Sequence, residues 1–131
     1  MRTPTPSSVL YAWHAEAMAG IKPVITDTPQ CGWFKRVLVK GGVMVPARVW
    51  LYQNIDRETG ELVEDELLQC EVNGEYADAQ DQWSWLANNP ISRAEFLYLS
   101  ARIEHAARHE PDDAFADPRA PIDLNRLPLP F

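Results

Sequence analysis

The chain has 131 residues, of which 46% are hydrophobic, and its formal net charge is −7. This length suits one globular domain with a real core, and the lack of an apolar run of about 18 residues excludes a membrane-spanning helix. The charge is uneven, with +4 over residues 1–52 and −11 over residues 53–131. An acidic chain of this kind does not bind nucleic acid through its overall field.

The N-terminal sequence lacks the apolar segment of a secretory signal, so the default prediction is a cytoplasmic protein. Cys31 and Cys70 are then expected to stay reduced. Both lie in or beside predicted strands, where a free cysteine acts as a small apolar side chain.

The first predicted element is a helix from about Val9 to Ala19. Ser7 or Ser8 is expected to cap it, and Gly20 to close it. Its apolar stripe at helical spacing consists of Leu10, Trp13, His14 and Ala17. Within that stripe we expect His14 to be a packed side chain and not a metal ligand.

The central prediction is a β-hairpin over residues 32–52, in which Gly41-Gly42 joins two apolar runs. Two adjacent glycines supply the positive φ angles of a two-residue loop. Such a loop fixes the cross-strand pairs Lys40–Val43, Leu38–Val45, Phe34–Val49 and Trp33–Trp50. Pro46 indicates that the second strand has one bare edge, because proline cannot donate to a ladder.

Alternation of side chains gives this hairpin two different faces. The core face is predicted to carry Phe34, Leu38, Val43, Val45, Val49 and Leu51. The other face is aromatic and basic, and its candidate binding residues are Trp33, Lys35, Arg48, Trp50 and Tyr52. It either stacks bases and pairs with phosphate, or it is a covered face where long basic side chains lie over aromatic rings. The second interpretation is favoured, because tryptophan is more often packed than presented.

Two more strands are predicted after the hairpin. Leu67–Val72 is the third strand, Asn73-Gly74 is a strong signal for a two-residue turn, and Glu75–Ala77 can form a very short fourth strand. The centre of the chain is therefore expected to be an antiparallel meander of three or four strands.

Two C-terminal helices follow in the sequence. Asp78 is expected to cap the first, which extends to Leu86 or Ala87. Ser92 and Glu95 form a capping box at the start of the second. The apolar stripe of this second helix consists of Phe96, Leu99, Ile103 and Ala106 or Ala107.

Pro111 is expected to end the last helix, and further prolines make residues 111–131 an extended tail. The predicted fold is thus α+β, with the meander flanked by an N-terminal helix and two C-terminal helices. Residues 1–110 are assigned to one domain. The apolar end of the tail consists of Ile122, Leu124, Leu127, Leu129 and Phe131.

Few patterns in the sequence carry chemistry. His105 and His109 have a helical spacing that can hold zinc from one face, but Cys31 and Cys70 lack the close spacing of a structural zinc site. The flanks of Cys31 do not fit a thiol-protease nucleophile, and no phosphate-binding glycine loop is present. We therefore predict no enzyme, no catalytic residue, no metal site and no cofactor.

Several segments resemble a group of small proteins that are encoded by tailed phages and prophages of proteobacteria. The resemblance rests on SVLYAWHAEAMAG near the N-terminus and on the pairing of CGWF with GGVMVPARVW. It extends over most of the chain, including WSWL and NPISRAEFLYL. It implies an accessory phage protein that is expressed inside a bacterial cell, and it transfers no functional residue.

These observations predict a non-enzymatic accessory protein that binds a host or phage protein through the Trp33/Trp50 face or the apolar tail. The first alternative is a nucleic-acid-binding module that uses the five candidate residues of the aromatic and basic face. A second alternative is an acidic inhibitor that imitates nucleic acid with residues 56–81, where ten acids accompany one base. No membrane partner is expected, and a homodimer through the bare edge or the tail is left open.

Overall fold

The computed structural model describes residues 3–21 and 27–121. Its helices and strands, in chain order, are α1 (Ser7–Leu10), α2 (Ala12–Met18), β1 (Gly32–Val37), β2 (Met44–Tyr52), β3 (Leu67–Val72), β4 (Glu75–Ala77), α3 (Ala79–Leu86) and α4 (Arg93–His109). The four strands form one antiparallel sheet in the order β1-β2-β3-β4. The predicted α+β meander with flanking helices is therefore confirmed.

The core lies between the sheet and α3. Its buried residues from the strands are Phe34, Val45, Ala47, Val49, Cys70 and Val72, and those from α3 are Ala79, Trp83 and Leu86. Phe34 has no exposed surface and meets the edge of the Trp83 ring at 5.5 Å between centroids. This face of the sheet, here called the inner face, is the one that alternation assigned to the core.

The register of the first hairpin differs from the prediction. Trp33 pairs with Arg48 and Phe34 with Ala47, so the predicted Trp33–Trp50 pair is wrong by two residues. The side-chain direction repeats every two residues, and a shift of two therefore leaves both faces unchanged.

The reason for the shift is a longer connection between β1 and β2. The turn spans residues 39–42, where the N–H of Gly42 donates to the carbonyl of Val39 at 3.0 Å. Gly41 occupies the third position of this turn with φ of +81°, a conformation that glycine adopts without steric cost. Only the first of the two glycines therefore has a positive φ angle.

The predicted bare edge of the second strand is also wrong, because β2 lies between β1 and β3. Pro46 is tolerated there because it lies just beyond the last β2–β3 pair, Ala47 with Val72. Its carbonyl accepts the N–H of Asn73 at 2.9 Å. The N–H group that Pro46 lacks therefore belongs to the end of the β2–β3 ladder, where the chain turns after Val72.

The predicted N-terminal helix is divided into α1 and α2 by Tyr11, whose φ of −100° and ψ of 11° interrupt the helical backbone. The helix starts earlier than expected, with Pro6 at the N-cap position, so neither Ser7 nor Ser8 caps it. Gly20 follows α2 with φ of +79°, as predicted.

Three local signals in the second half of the chain are confirmed. Asp78 accepts the N–H of Asp81 at 3.0 Å at the start of α3, and Ser92 Oγ accepts the N–H of Glu95 at 3.1 Å at the start of α4. Asn73 and Gly74 both have positive φ angles, 53° and 80°, as a type I′ hairpin turn requires.

The start of the predicted tail is not fully extended. A 3₁₀ turn at Ala114–Ala116 packs against α4, where Arg102 donates to Asp113 at 2.6 Å and lies over the ring of Phe115. The backbone N–H of Phe115 and the Arg102 guanidinium lower the pKa of Asp113. Residues 122–131, with the predicted apolar end, lie outside the described residues.

The outer edge of β1 is covered by the loop before α4. Ile91 N–H donates to the carbonyl of Trp33 at 2.9 Å. Nε2 of His14, which is buried as predicted, donates to the carbonyls of Ile91 at 2.7 Å and Trp33 at 3.1 Å. The imidazole ring lies directly on Gly32, where an added Cβ would come within 2.6 Å of it. The packing at this edge of β1 therefore requires glycine at position 32, because the His14 ring occupies the space of a side chain there.

We predict that Gly32→Ala lowers the free energy of unfolding by about 1–3 kcal/mol, because the methyl group overpacks the His14 ring. Urea denaturation measures this change. In a His14→Ala background the same substitution should cost less than about 0.5 kcal/mol, because the clash is gone. Equal costs in both backgrounds would contradict the contact.

Candidate functional site

The candidate binding residues lie on the face of the sheet opposite the core, here called the outer face. Trp33 and Lys35 belong to β1, and Arg48, Trp50 and Tyr52 to β2. Sequence alternation placed all five on one face, and the observed register keeps them there. The structure nevertheless gives them very different surroundings.

Helix α4 lies over the end of the outer face nearest the β1–β2 turn. Glu95, in its first turn, accepts a hydrogen bond from Nζ of Lys35 at 3.3 Å. Phe96 and Ile103 line a groove with Pro46 beneath them. Lys35 is therefore paired with a carboxylate and lies beside a helix, so its charge is partly neutralised.

Trp33 is also covered, in this case by the N-terminal segment. The ring of Tyr11 stacks on it with centroids 5.0 Å apart and an angle of 19° between the planes. Burial raises the pKa of Tyr11, and the nearby Cys31 adds to this rise. One face of the Trp33 indole is thus already occupied, which leaves less of it for a base to stack on.

Arg48 is held between an aromatic ring and a carboxylate. Its guanidinium lies 4.2 Å above the Trp50 ring, and Nη2 is 3.4 Å from a carboxylate oxygen of Glu71. This is the arrangement in which a long basic side chain lies over an aromatic ring. A cation–π contact of this kind contributes about 0.5–1 kcal/mol at an exposed site.

The rest of the outer face carries exposed apolar and aromatic side chains. Tyr52 pairs with Leu67 across β2 and β3, and Trp50 lies 6.1 Å from Tyr76 of β4, between ring centroids. Tyr76 is 77% exposed, Leu67 54% and Tyr52 44%. We call the set Arg48, Trp50, Tyr52, Leu67 and Tyr76 the outer patch.

Sequence reasoning identified three members of the outer patch and missed Leu67 and Tyr76. The turn at Asn73-Gly74, which the sequence predicted, places Tyr76 opposite Glu71. Placing Glu71 beside Arg48, however, requires the register between β2 and β3, and no local signal gives that register.

The structure does not bring the potential zinc ligands together. Cys31 and Cys70 are buried and unpaired, whereas His105 and His109 are exposed on α4 with ring centroids 5.0 Å apart. Within residues 3–21 and 27–121, no group of three or more His, Cys, Asp or Glu side chains could hold a metal ion.

The two thiols are in environments that favour the neutral form. Burial raises the pKa of both Cys31 and Cys70 from 9.0 to about 11, and Asp78 adds to the effect at Cys70. A reactive cysteine needs the opposite, an accessible site that lowers the thiol pKa. The geometry is therefore that of two packed thiols.

Neither stretch of the described chain contains a helix with the length and apolar character needed to cross a membrane. Comparisons with protein-family models, with curated proteins and with solved structures find no match to this chain.

We predict that the free energy of unfolding falls as the pH rises from 9.0 to about 11. Over this window the unfolded chain releases thiol protons that the folded chain still holds, so alkali favours unfolding. Urea denaturation at several pH values measures the slope. A Cys31→Ala/Cys70→Ala variant should show a shallower slope, and an identical slope would contradict the assignment to the thiols.

Proposed function

We propose that this chain is a non-enzymatic protein that binds a protein partner through the outer patch. The supporting observation is that two exposed side chains extend the aromatic face of β2: Tyr76 lies beside Trp50, and Leu67 is paired with Tyr52. Aromatic residues are enriched in the cores of protein interfaces, where arginine is common too. A rigid sheet presents such side chains with little loss of conformational entropy on binding.

The charges around the outer patch favour a protein partner over nucleic acid. Binding to a phosphate backbone depends on lysine and arginine side chains that can release counterions. Here Lys35 is paired with Glu95 and Arg48 with Glu71. A strand of nucleic acid would have to displace these carboxylates and would then meet their negative charge.

The acidic-mimic alternative has less support, because many carboxylates of residues 56–81 are used within the fold. Asp56, Glu64, Glu66, Glu71, Glu75 and Asp78 each accept at least one intrachain hydrogen bond. Mimicry of a phosphate backbone requires a regular and open array of charge. These side chains instead stabilise turns, a helix cap and ion pairs.

The resemblance to phage and prophage proteins supports a host or phage protein as the partner, in the cytoplasm of a bacterial host cell. A second copy of this chain is the other protein that the outer patch could meet. Self-association would make the apparent mass depend on concentration, which separates the two cases.

The test is affinity capture from phage-infected cells with a matched pair of double variants. Leu67→Ser/Tyr76→Ser removes the most exposed members of the outer patch. The control, Leu97→Ser/Tyr98→Ser, changes the same residue types on α4, where Leu97 and Tyr98 are 53% and 64% exposed. We expect the amount of captured partner to fall at least about tenfold with the first variant and to be unchanged with the control.

Nuclease treatment of the lysate is the second arm. Capture that persists in nuclease and depends on the outer patch supports the proposal. A captured protein that nuclease releases, or that both double variants retain equally, would contradict it.

A further inference from the structure

A cavity of about 290 Å³ lies between α4 and the β3–β4 turn, next to the outer patch. It is lined by Pro46, by the Asn73-Gly74 turn and by side chains of α4 between Phe96 and Glu104. Glu71 joins the two features, because it lines the cavity and is also the carboxylate that holds Arg48. A partner that covers the outer patch can therefore contact the cavity at the same time.

The lining has a definite chemical character. Pro46, Phe96 and Ile103 supply an apolar surface, whereas the two charged residues among the described lining, Glu71 and Glu104, are both carboxylates. An apolar pocket with acidic walls favours an apolar side chain that has cationic neighbours.

The open shape of the cavity suits an anchoring side chain of a protein segment. Its volume of about 290 Å³ is at the lower end of the range for drug-sized ligands, about 300–1,000 Å³. Such ligand pockets enclose most of the ligand, whereas this cavity is open at the surface between the helix and the turn. An apolar side chain that enters from a partner on the outer patch fits this shape.

We propose that this cavity takes one apolar side chain of the protein partner, with flanking lysine or arginine residues beside Glu71 and Glu104. This inference rests on the proposed function and specifies the chemistry of the partner: a basic segment with an apolar anchor. The net charge of −7 adds a long-range attraction for such a segment.

The existing ion pairs leave room for a cation of the partner at both carboxylates. Arg108 contacts Oε1 of Glu104 at 2.9 Å, and both side chains are more than 60% exposed. Arg48 contacts Oε2 of the half-buried Glu71 at 3.4 Å. The second oxygen of each carboxylate can therefore accept a hydrogen bond from the partner while both arginines keep their places.

The test is a titration of the isotope-labelled full chain with the tripeptide acetyl-Lys-Leu-Arg-amide, followed by NMR. We expect shifts of the amide signals of Asn73, Gly74, Ser100 and Ile103. Replacing the leucine of the peptide by glycine should weaken binding about tenfold. Replacing both of its cations by glutamate should weaken binding by about fivefold or more.

Two pairs of variants locate the binding site on the protein. Ser100→Trp fills the cavity and should abolish the shifts, whereas Ala101→Trp adds the same side chain at the next, exposed position and should preserve them. If Ser100→Trp fails to fold, the same spectra show it. Glu104→Gln against Glu75→Gln then gives the second comparison, and only the former should weaken binding.

Shifts that are equal for the leucine and glycine peptides, or that lie away from these amides, would overturn the cavity assignment. The absence of shifts up to the solubility limit of the peptide would overturn it as well. The capture experiment separates this failure from that of the proposed function. If the Ser100→Trp variant captures the partner normally while the Leu67→Ser/Tyr76→Ser variant loses it, the cavity proposal is rejected and the outer-patch proposal stands.

Discussion

The hydrogen bonds of one buried imidazole join three parts of the chain that are distant in sequence. Nε2 of His14 donates to the carbonyls of Trp33 and Ile91, so α2, β1 and the loop before α4 meet at one edge of the sheet. The ring fits only because Gly32 has no side chain. This contact fixes α2 and, with it, the preceding Tyr11, whose ring stacks on Trp33. Tyr11 at one end and α4 at the other therefore cover the parts of the outer face that flank the outer patch.

The features that the sequence predicted correctly depend on neighbouring residues. Side-chain alternation along β1 and β2 placed Phe34 and Val49 in the core, and this assignment held although the register moved by two residues. The Asn73-Gly74 turn and the cap at Ser92 need only a few adjacent residues. Local chemistry decides such elements, and so they can be derived from one sequence.

The properties that decide function depend instead on contacts between distant segments. Lys35 and Arg48 suggested a basic surface, but each is paired with a carboxylate, 60 and 23 residues further along the chain. Residues 53–66 separate β2 from β3, and their polar turn gives no register that would place Glu71 beside Arg48. The sequence therefore predicted the aromatic side chains of the site. The pairing of its basic side chains with carboxylates could be seen only in the folded structure.

The most direct measurement of the central claim is site-specific photo-cross-linking in infected cells. A photoreactive phenylalanine analogue is introduced at Tyr76, in the outer patch, or at Tyr98, which is similarly exposed on α4. A discrete protein adduct at position 76 that is absent at position 98 is the expected result. An adduct with nucleic acid at position 76, or the same adducts at both positions, would contradict a protein-binding outer patch.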